Sequence, residues 1–560
     1  MANTAQHRMR IYIVMLVFAG LFSIVAARLT DLGLAREHKN QAIAAIRMPD
    51  QSEGPRADIL DRNGRLIATS LTTDSLYADP KRVIDPTATA RRLAHAFDGI
   101  NEKSLAEKLS GNRRFVWIKR NLTPKQKYRA LSLGLPGVEF KQEYRRFYPN
   151  GDLTSHLTGY TNVDNDGLAG VERSFDHELN ELKQPVRLTI DLGLQHIVHR
   201  ELTRTIKRFK ATAATGIIQD VKTGEILAMV SLPDFNPHEA GMAPDQAKFN
   251  RATLGVYEMG STFKIFSTAA ALESGVVRLN DRYDVRDPIR RAGFWIRDYH
   301  KHNQTLDVEQ VFVRSSNIGS ALMAEDTGSE AFREFYQKLG LFTPVDLPLP
   351  EVGSPLMPTP WRDINTLTAA YGHGIAVSPL QTITAASSIV GGQVIRPQIT
   401  PVDRAQTGPE INAATTNAMR KMLRLAVKHD EGTGSNADIP GYQVGGKTGT
   451  AEKASSGGYH GDQLISSFLG VFPSDDPQYS ILVLVDEPEP REDTYGYATG
   501  GWVAAPAVGN IIRQMGPYIG LTQMKGNAKN DKRSTKTRTT KPQRIPPQPN
   551  PWTQAFNGSN

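Results

Sequence analysis

The sequence predicts a mixed α/β protein of the α+β kind, with two folded modules behind one membrane-spanning helix. Three observations lead there. An uncharged run lies near the N-terminus, short strand-like segments broken by turn signals extend to about residue 204, and a longer region then encloses helical patterns between strand patterns. At 560 residues the chain has room for two or three domains of roughly 100–200 residues each. With 39% hydrophobic and 22% charged residues, and 47 Gly and 34 Pro scattered without period, the composition excludes collagen, coiled coil and wholesale disorder.

Residues 1–10 carry Arg8 and Arg10 and read as a short cytoplasmic segment. Positions 11–27 hold no charge and are closed by Arg28, so the run just reaches spanning length; the anchor is assigned to 11–29. A cleaved signal peptide has a shorter apolar core of about 7–15 residues and a small-residue cleavage site, which Val25-Ala26-Ala27 matches only loosely. The flanking basic residues do not settle orientation: Arg28, Arg36, Lys39 and Arg47 follow the span, and the positive-inside rule weakens before a long domain. Residues 30–50 read as a polar, Ala-rich linker.

From 51 to 205 the runs Ile59-Leu60, Leu66-Ile67-Ala68 and 186–190, with turn signals at Asn63-Gly64 and Asn150-Gly151, predict an α+β module. The second module, 210–520, opens with strand patterns at 216–221 and 225–230 around Lys222-Thr223-Gly224, a β-hairpin, and closes with a strand at 480–486. Strands at both ends with helices between them predict one mostly antiparallel sheet. The tail, 521–560, is polar, basic and Pro-rich and is expected to be disordered.

The net charge of +8 resides almost wholly in that tail, where eight Lys and Arg stand against Asp531 alone. The folded body is nearly neutral, which argues against nucleic-acid binding. The absence of Cys excludes a disulfide framework, a thiolate metal site and a cysteine nucleophile. The 13 His form no paired ligand motif with an acidic partner, and His373, between glycines, reads as structural or cleft-lining; no metal or cofactor is expected.

Chemistry is concentrated in Ser261-Thr262-Phe263-Lys264, the Ser-x-x-Lys of the chain. Phe263, Phe266 and Ala270 have helical spacing, so Ser261 is expected to open a helix with Lys264 one turn on and on the same face. A serine hydroxyl needs a base to become a nucleophile, and a lysine in a dry cleft can lose its proton to serve as one. Ser315-Ser316-Asn317 and Lys447-Thr448-Gly449-Thr450 follow in order. The decoys Ser110-Gly111-Asn112 and Lys222-Thr223-Gly224 both precede the nucleophile. The ordered trio is the serine acyltransferase signature shared by penicillin-binding proteins and serine β-lactamases, with Ser-Ser-Asn for Ser-Asp-Asn.

The chain resembles the class B penicillin-binding proteins, single-anchor peptidoglycan transpeptidases, over nearly its whole length to about residue 515. Besides the trio, the resemblance rests on 56–64 (Arg56-Ala57-Asp58 through Asn63-Gly64), on Arg146-Phe147-Tyr148-Pro149-Asn150-Gly151 with His156 and Gly159, and on Gly167-Leu168-Ala169-Gly170-Val171-Glu172. Glu258-Met259-Gly260 before the nucleophile departs from the family at Met259, where Pro is usual; Tyr371-Gly372-His373-Gly374 and Ser378-Pro379-Leu380-Gln381 also match. Lys447-Thr448-Gly449-Thr450-Ala451 is most similar to the division (septal) branch, with the elongation branch as the alternative.

The resemblance implies a penicillin-binding serine-transpeptidase domain with an antiparallel sheet and a helical subdomain, preceded by an elongated pedestal or dimerisation-type module. It places the body outside the cytoplasmic (inner) membrane. It implies that Ser261 attacks the penultimate D-Ala carbonyl of a stem peptide with Lys264 as base. It further implies that Ser315 relays a proton, that Asn317 binds Lys264 and the substrate amide, and that Lys447 supplies positive potential. Thr448, Gly449 and Thr450 would line the subsite for the terminal carboxylate, and the backbone N–H groups of Ser261 and Thr450 would form the oxyanion hole. The partners implied are D-Ala-D-Ala donor and amine acceptor peptides, β-lactam antibiotics, a SEDS-type glycosyltransferase and other divisome proteins. A serine β-lactamase, a β-lactam sensor and a divisome scaffold are the rivals: the first needs neither anchor nor pedestal, the second needs an effector for which residues 1–10 leave no room, and the third does not need the trio.

Overall fold

The computed structural model describes residues 54–402, 405–455 and 458–521, with Gly20 and Ser23 as isolated positions. Apart from these two positions and Leu521, the expected anchor (11–29), linker (30–50) and tail (521–560) lie outside the described residues. Among the described residues no helix is long and apolar enough to cross a membrane. The described residues from Pro55 to Leu521 belong to one compact unit.

The first module is organised on its longest strand, Leu66–Ala78, which pairs antiparallel with Val138–Phe147 over ten residue pairs and with Val116–Leu122 on its other side. Ile59–Leu60 and Val186–Arg187 complete a five-stranded sheet. The strands 116–122 and 138–147, rich in Lys, Arg and Glu, lack the apolar alternation that marks a half-buried strand, and the sequence reading did not anticipate them. Helices Pro86–Ala96, Glu102–Leu109 and Pro124–Ser132 cover a small core of Leu76, Leu93, Phe97, Leu105 and Leu122. Each starts where a side chain caps it: Asp85, Asn101 and Thr123 accept from backbone N–H groups of their first turns.

Three separate sequence segments of this module converge on one buried carboxylate. Glu172 accepts from Arg56 Nε at 2.6 Å and from Arg146 Nε at 2.6 Å, and all three side chains are at most 2% exposed. Arg56 also reaches Asp176 at 2.7 Å, and Arg146 donates to the carbonyl of Ala57 at 2.7 Å. The ions thus tie both chain ends of the module to its central strand pair.

Helix Leu192–Phe209, capped by Asp191 through the N–H groups of Gly193 and Leu194, packs on the sheet of the second module. A division at 205–210 therefore passes through an element of that second module. Its sheet runs, in spatial order, Gly445–Ser455, Gly458–Phe472, Tyr479–Asp486, Ala213–Asp220 and Ile226–Leu232, antiparallel throughout. Strands from the two ends of the module are neighbours, Ile481 opposite Ile218, so closing the sheet brings together residues about 260 positions apart in the chain. Lys222-Thr223-Gly224 is the hairpin turn expected, with Asp220 accepting from the N–H of Lys222 and Thr223.

Successive side chains on these strands enter different cores. Ile217, Leu482 and Leu484 face the helical subdomain, and Ile218, Val483 and Val485 face helices Leu192–Phe209 and Ala504–Tyr518. A sheet covered on both faces needs continuous apolar runs, which is why 480–486 reads as it does. In the subdomain, helix Lys264–Glu273 is buried from Lys264 to Ala271 and is packed against Asn317–Thr327, Ser329–Lys338, Pro379–Gly391 and Ala413–Lys428. Two short ribbons, Arg282–Asp284 with Thr305–Asp307 and Ile289–Arg291 with Phe294–Ile296, lead into Ser315; the sequence reading did not foresee them.

Candidate active site

Ser261, the expected nucleophile, lies on a 3-10 turn, Gly260–Phe263, that runs into helix Lys264–Glu273. The expected α-helical start is replaced by this tighter turn, with three residues per turn, so positions three apart eclipse and Lys264 comes over Ser261. Lys264 Nζ lies 3.0 Å from Ser261 Oγ. The turn sits against the edge strand Gly445–Ser455 so closely that only glycine fits. A Cβ on Gly260 (φ +52°) would lie 2.4 Å from the carbonyl oxygen of Thr450, and one on Gly449 would lie 2.4 Å from that of Met259. Thr262 Oγ1, 3.2 Å from Ser467 Oγ, ties the turn to the next strand.

Ser315 ends the helix Val308–Val313 in the left-handed region, φ +61°, which swings its side chain toward the lysines. Four oxygens surround Lys264 Nζ: the Ser315 carbonyl at 2.6 Å, Asn317 Oδ1 at 2.7 Å, Ser261 Oγ at 3.0 Å and Ser315 Oγ at 3.1 Å. The two shortest contacts are to oxygens that only accept. An amine meets them with two N–H groups and keeps its lone pair for a hydroxyl proton, so a neutral Lys264 is matched to its surroundings. Asn317 is oriented by its other end, where Nδ2 donates to the carbonyl of Arg297 at 3.0 Å.

Burial dominates the electrostatics. Lys264 and Lys447 are both 0% exposed. Removal from water pushes Lys264 down to about 7, partly opposed by the charge of Asp298. Lys447 is driven well below its ordinary range by burial and then by Lys264. Its Nζ donates to Ser315 Oγ at 2.8 Å and stands 5.9 Å from the ring centre of Phe312.

The structure thus brings Ser261, Lys264, Ser315, Asn317 and Lys447 into one hydrogen-bonded run. Thr448 and Thr450 lie on the same edge strand with their hydroxyls engaged: Thr448 Oγ1 is 2.6 Å from Thr433 Oγ1, and Thr450 Oγ1 accepts from the N–H of Gly500 at 3.1 Å. A hydroxyl pair uses one of its two protons, so the Thr433–Thr448 pair retains one O–H to donate, and Thr450, which accepts, keeps its own. Gly449 contributes the close backbone approach described above. His373 faces Glu258 at 3.2 Å, consistent with a cleft-lining role, and the decoy Ser110 ends a helix of the first module.

The sequence reading missed Arg297, Asp298, Thr433, Ser467 and Gly500. None belongs to the ordered trio or lies within ten residues of it along the chain; Ser467 stands opposite Gly449 on the paired strand. Knowledge of the strand register would have found that one.

A serine beside a buried lysine, with a second lysine across a shared hydroxyl, on a five-stranded sheet flanked by helices, is the arrangement of a serine acyltransferase. Residues 214–513 match the model of the penicillin-binding protein transpeptidase domain, and residues 51–183 match the penicillin-binding protein dimerisation domain. The chain belongs to the penicillin-binding protein transpeptidase family. It is 37% identical over 484 residues to the probable peptidoglycan D,D-transpeptidase FtsI of Caulobacter vibrioides, covering 84% of this chain and 82% of that one. With the peptidoglycan D,D-transpeptidase FtsI of Escherichia coli it shares 33% identity over 496 residues, 82% of each. In fold it is similar to penicillin-binding protein 3 from Mycobacterium tuberculosis, solved in complex with aztreonam, with a TM-score of 0.66 and 23% identity over 84% of this chain and 98% of that one.

Proposed function

We propose that the chain is a serine D,D-transpeptidase that cross-links peptidoglycan stem peptides during septal wall synthesis and is acylated by β-lactams. The observation that carries this reading is the run of hydrogen bonds from Ser261 Oγ through Lys264 Nζ and Ser315 Oγ to Lys447 Nζ.

In its free-amine form, which burial makes accessible by lowering its pKa to about 7, Lys264 takes the proton of Ser261 as Oγ bonds to the penultimate D-Ala carbonyl carbon. The negative charge developing on that carbonyl oxygen meets the N–H groups of Ser261 and Thr450. The proton passes from Lys264 through Ser315 to the departing nitrogen, the C–N bond breaks, and D-Ala leaves. An amine of a second stem then attacks the ester, gives up its proton to the same base, and forms the cross-link as Ser261 regains its hydroxyl. The O–H left free by the Thr433–Thr448 pair and the O–H of Thr450 are available to the donor's terminal carboxylate.

In this reading residues 11–29 anchor the chain with its catalytic body on the outer side of the cytoplasmic membrane, and a SEDS-type glycosyltransferase supplies the glycan strands. The names of the FtsI relatives support the septal assignment. Ser261→Ala tests the core of the proposal: it is expected to abolish covalent labelling by a fluorescent penicillin while the protein remains folded. Persisting label would remove Ser261 from the mechanism.

A further inference from the structure

Arg297 and Asp298 follow directly on the ribbon that pairs Ile289–Arg291 with Phe294–Ile296, and they meet the start of helix Asn317–Thr327. The Asp298 side chain is only 4% exposed. Its carboxylate accepts from Ser316 Oγ at 2.7 Å, from the N–H of Ile318 at 3.0 Å and from the N–H of Asn317. The neighbouring Arg297 carbonyl accepts from Asn317 Nδ2, so one dipeptide grips both the backbone and the side chain of Asn317. The opposite end of that side chain, Oδ1, receives Lys264 Nζ at 2.7 Å.

In the Ser-Asp-Asn form of this motif the turn carries its own carboxylate. Here Ser316 occupies that place, and a carboxylate is returned to the turn by Asp298, 18 residues upstream. We propose that Asp298 is a positioning residue for acylation: it clamps the Ser315-Ser316-Asn317 turn so that Asn317 Oδ1 and the Ser315 hydroxyl stay on Lys264 Nζ. The inference rests on the acyl-transfer reading above and assigns Asp298 no contact with the substrate.

Its charge has a second effect. Asp298 favours the ammonium form of Lys264 and so opposes the burial that drives the proton off. The other charged or titratable groups around it are few. His302 Nε2 lies 3.7 Å from the carboxylate, held low mainly by burial and set near Arg314, His300 and Glu431; Lys264 and Lys447 face the turn from the catalytic side. Removing the carboxylate therefore moves the proton loss of Lys264 to lower pH, whereas loss of a mere helix cap leaves it in place.

Asp298→Asn in the full chain, assayed by stopped-flow acylation with a chromogenic cephalosporin, separates these roles. The acylation rate constant is expected to fall on the order of 10- to 100-fold through misplacement of the base, with pre-acylation affinity within about twofold of wild type. The acid limb of the pH–rate profile is expected at lower pH, and His302→Gln as a control leaves that limb where it is in the wild type. Ser316→Ala, which frees one side of the carboxylate but keeps its charge, should slow acylation without moving the limb; it carries the test should D298N not fold. A wild-type rate in either variant, or a loss in D298N with the limb unmoved, overturns the proposal. Wild-type protein that takes up no β-lactam would instead overturn the acyl-transfer reading, and this inference with it.

Discussion

Lys447 Nζ lies 2.8 Å from Ser315 Oγ, the hydroxyl that Lys264 approaches from the other side at 3.1 Å. Two fully buried amines share one neutral hydroxyl, and the nearby carboxylate of Asp298 is occupied with the turn behind them. Two ammonium ions there would pay desolvation twice and repel each other, so the pair sheds protons. A base that is free near neutral pH follows from packing, with no dedicated charge relay.

Acylation should therefore depend on pH through Lys264. Its folded value is lowered from 10.5 to about 7, so the amine is protonated and inert as a base below that point and free above it. The rate constant for β-lactam acylation is expected to rise about tenfold per pH unit on the acid side and to level off above about pH 7. Lys264→Arg, which stays protonated throughout, should lose acylation at every pH by a factor on the order of 10²–10⁴.

The acyl-enzyme should be long-lived. A hydrolase needs a base aimed at water beside the ester, but Glu258, close to the nucleophile in sequence, is turned to the N–H of Gly374 and to His373. Protein freed of excess penicillin is expected to retain its label for many minutes to hours on gels. Rapid loss of label with many equivalents of drug hydrolysed would mean that the site is a β-lactamase.

Glu172 should be the most sensitive charge of the first module. It balances Arg56 and Arg146 in a dry site, so Glu172→Gln leaves two buried guanidiniums facing an amide. The loss is expected to be about 3–5 kcal/mol in denaturant unfolding, far above that of an exposed ion pair. Arg62, whose bond to Glu225 is largely exposed, provides the contrast: Arg62→Ala should change stability by less than about 1 kcal/mol.

His156 should make the fold acid-sensitive. Burial lowers it from 6.5 to about 4 while its Nε2 pairs with the carbonyl of Ala247 at 2.8 Å. Between those values the unfolded chain takes up a proton that the folded chain refuses, so stability falls as pH drops from 6.5 toward 4, by about 3 kcal/mol in all. His156→Gln is expected to flatten that part of the stability–pH curve, whatever its effect on the melting temperature at neutral pH.

The catalytic side chains were legible because their chemistry demands particular residue types at short range. Ser261 and Lys264 must lie one turn apart, and Lys447-Thr448-Gly449 must lie on a strand, so each motif is local and its order survives in one dimension. The hairpin at Lys222-Thr223-Gly224 and the strand with the apolar run 481–485 were legible for the same reason: turn residues and a two-sided burial pattern are written within a few positions. Strands Val116–Leu122 and Val138–Phe147 were not, since they carry many Lys, Arg and Glu side chains in place of an apolar alternation.

By itself the sequence determined the class of chemistry, the candidates for nucleophile and base, and the presence of two modules with a sheet that draws strands from both ends of the second. Tertiary structure alone decided how those parts work. It placed Asp298 behind Asn317 and Thr433 against Thr448, joined Arg56, Arg146 and Glu172 at one point, and buried both lysines deeply enough to change their charge. Each of these depends on contacts between residues far apart in the chain and on exclusion of water from them. Those quantities belong to packing in three dimensions and leave no periodic or local trace along the chain.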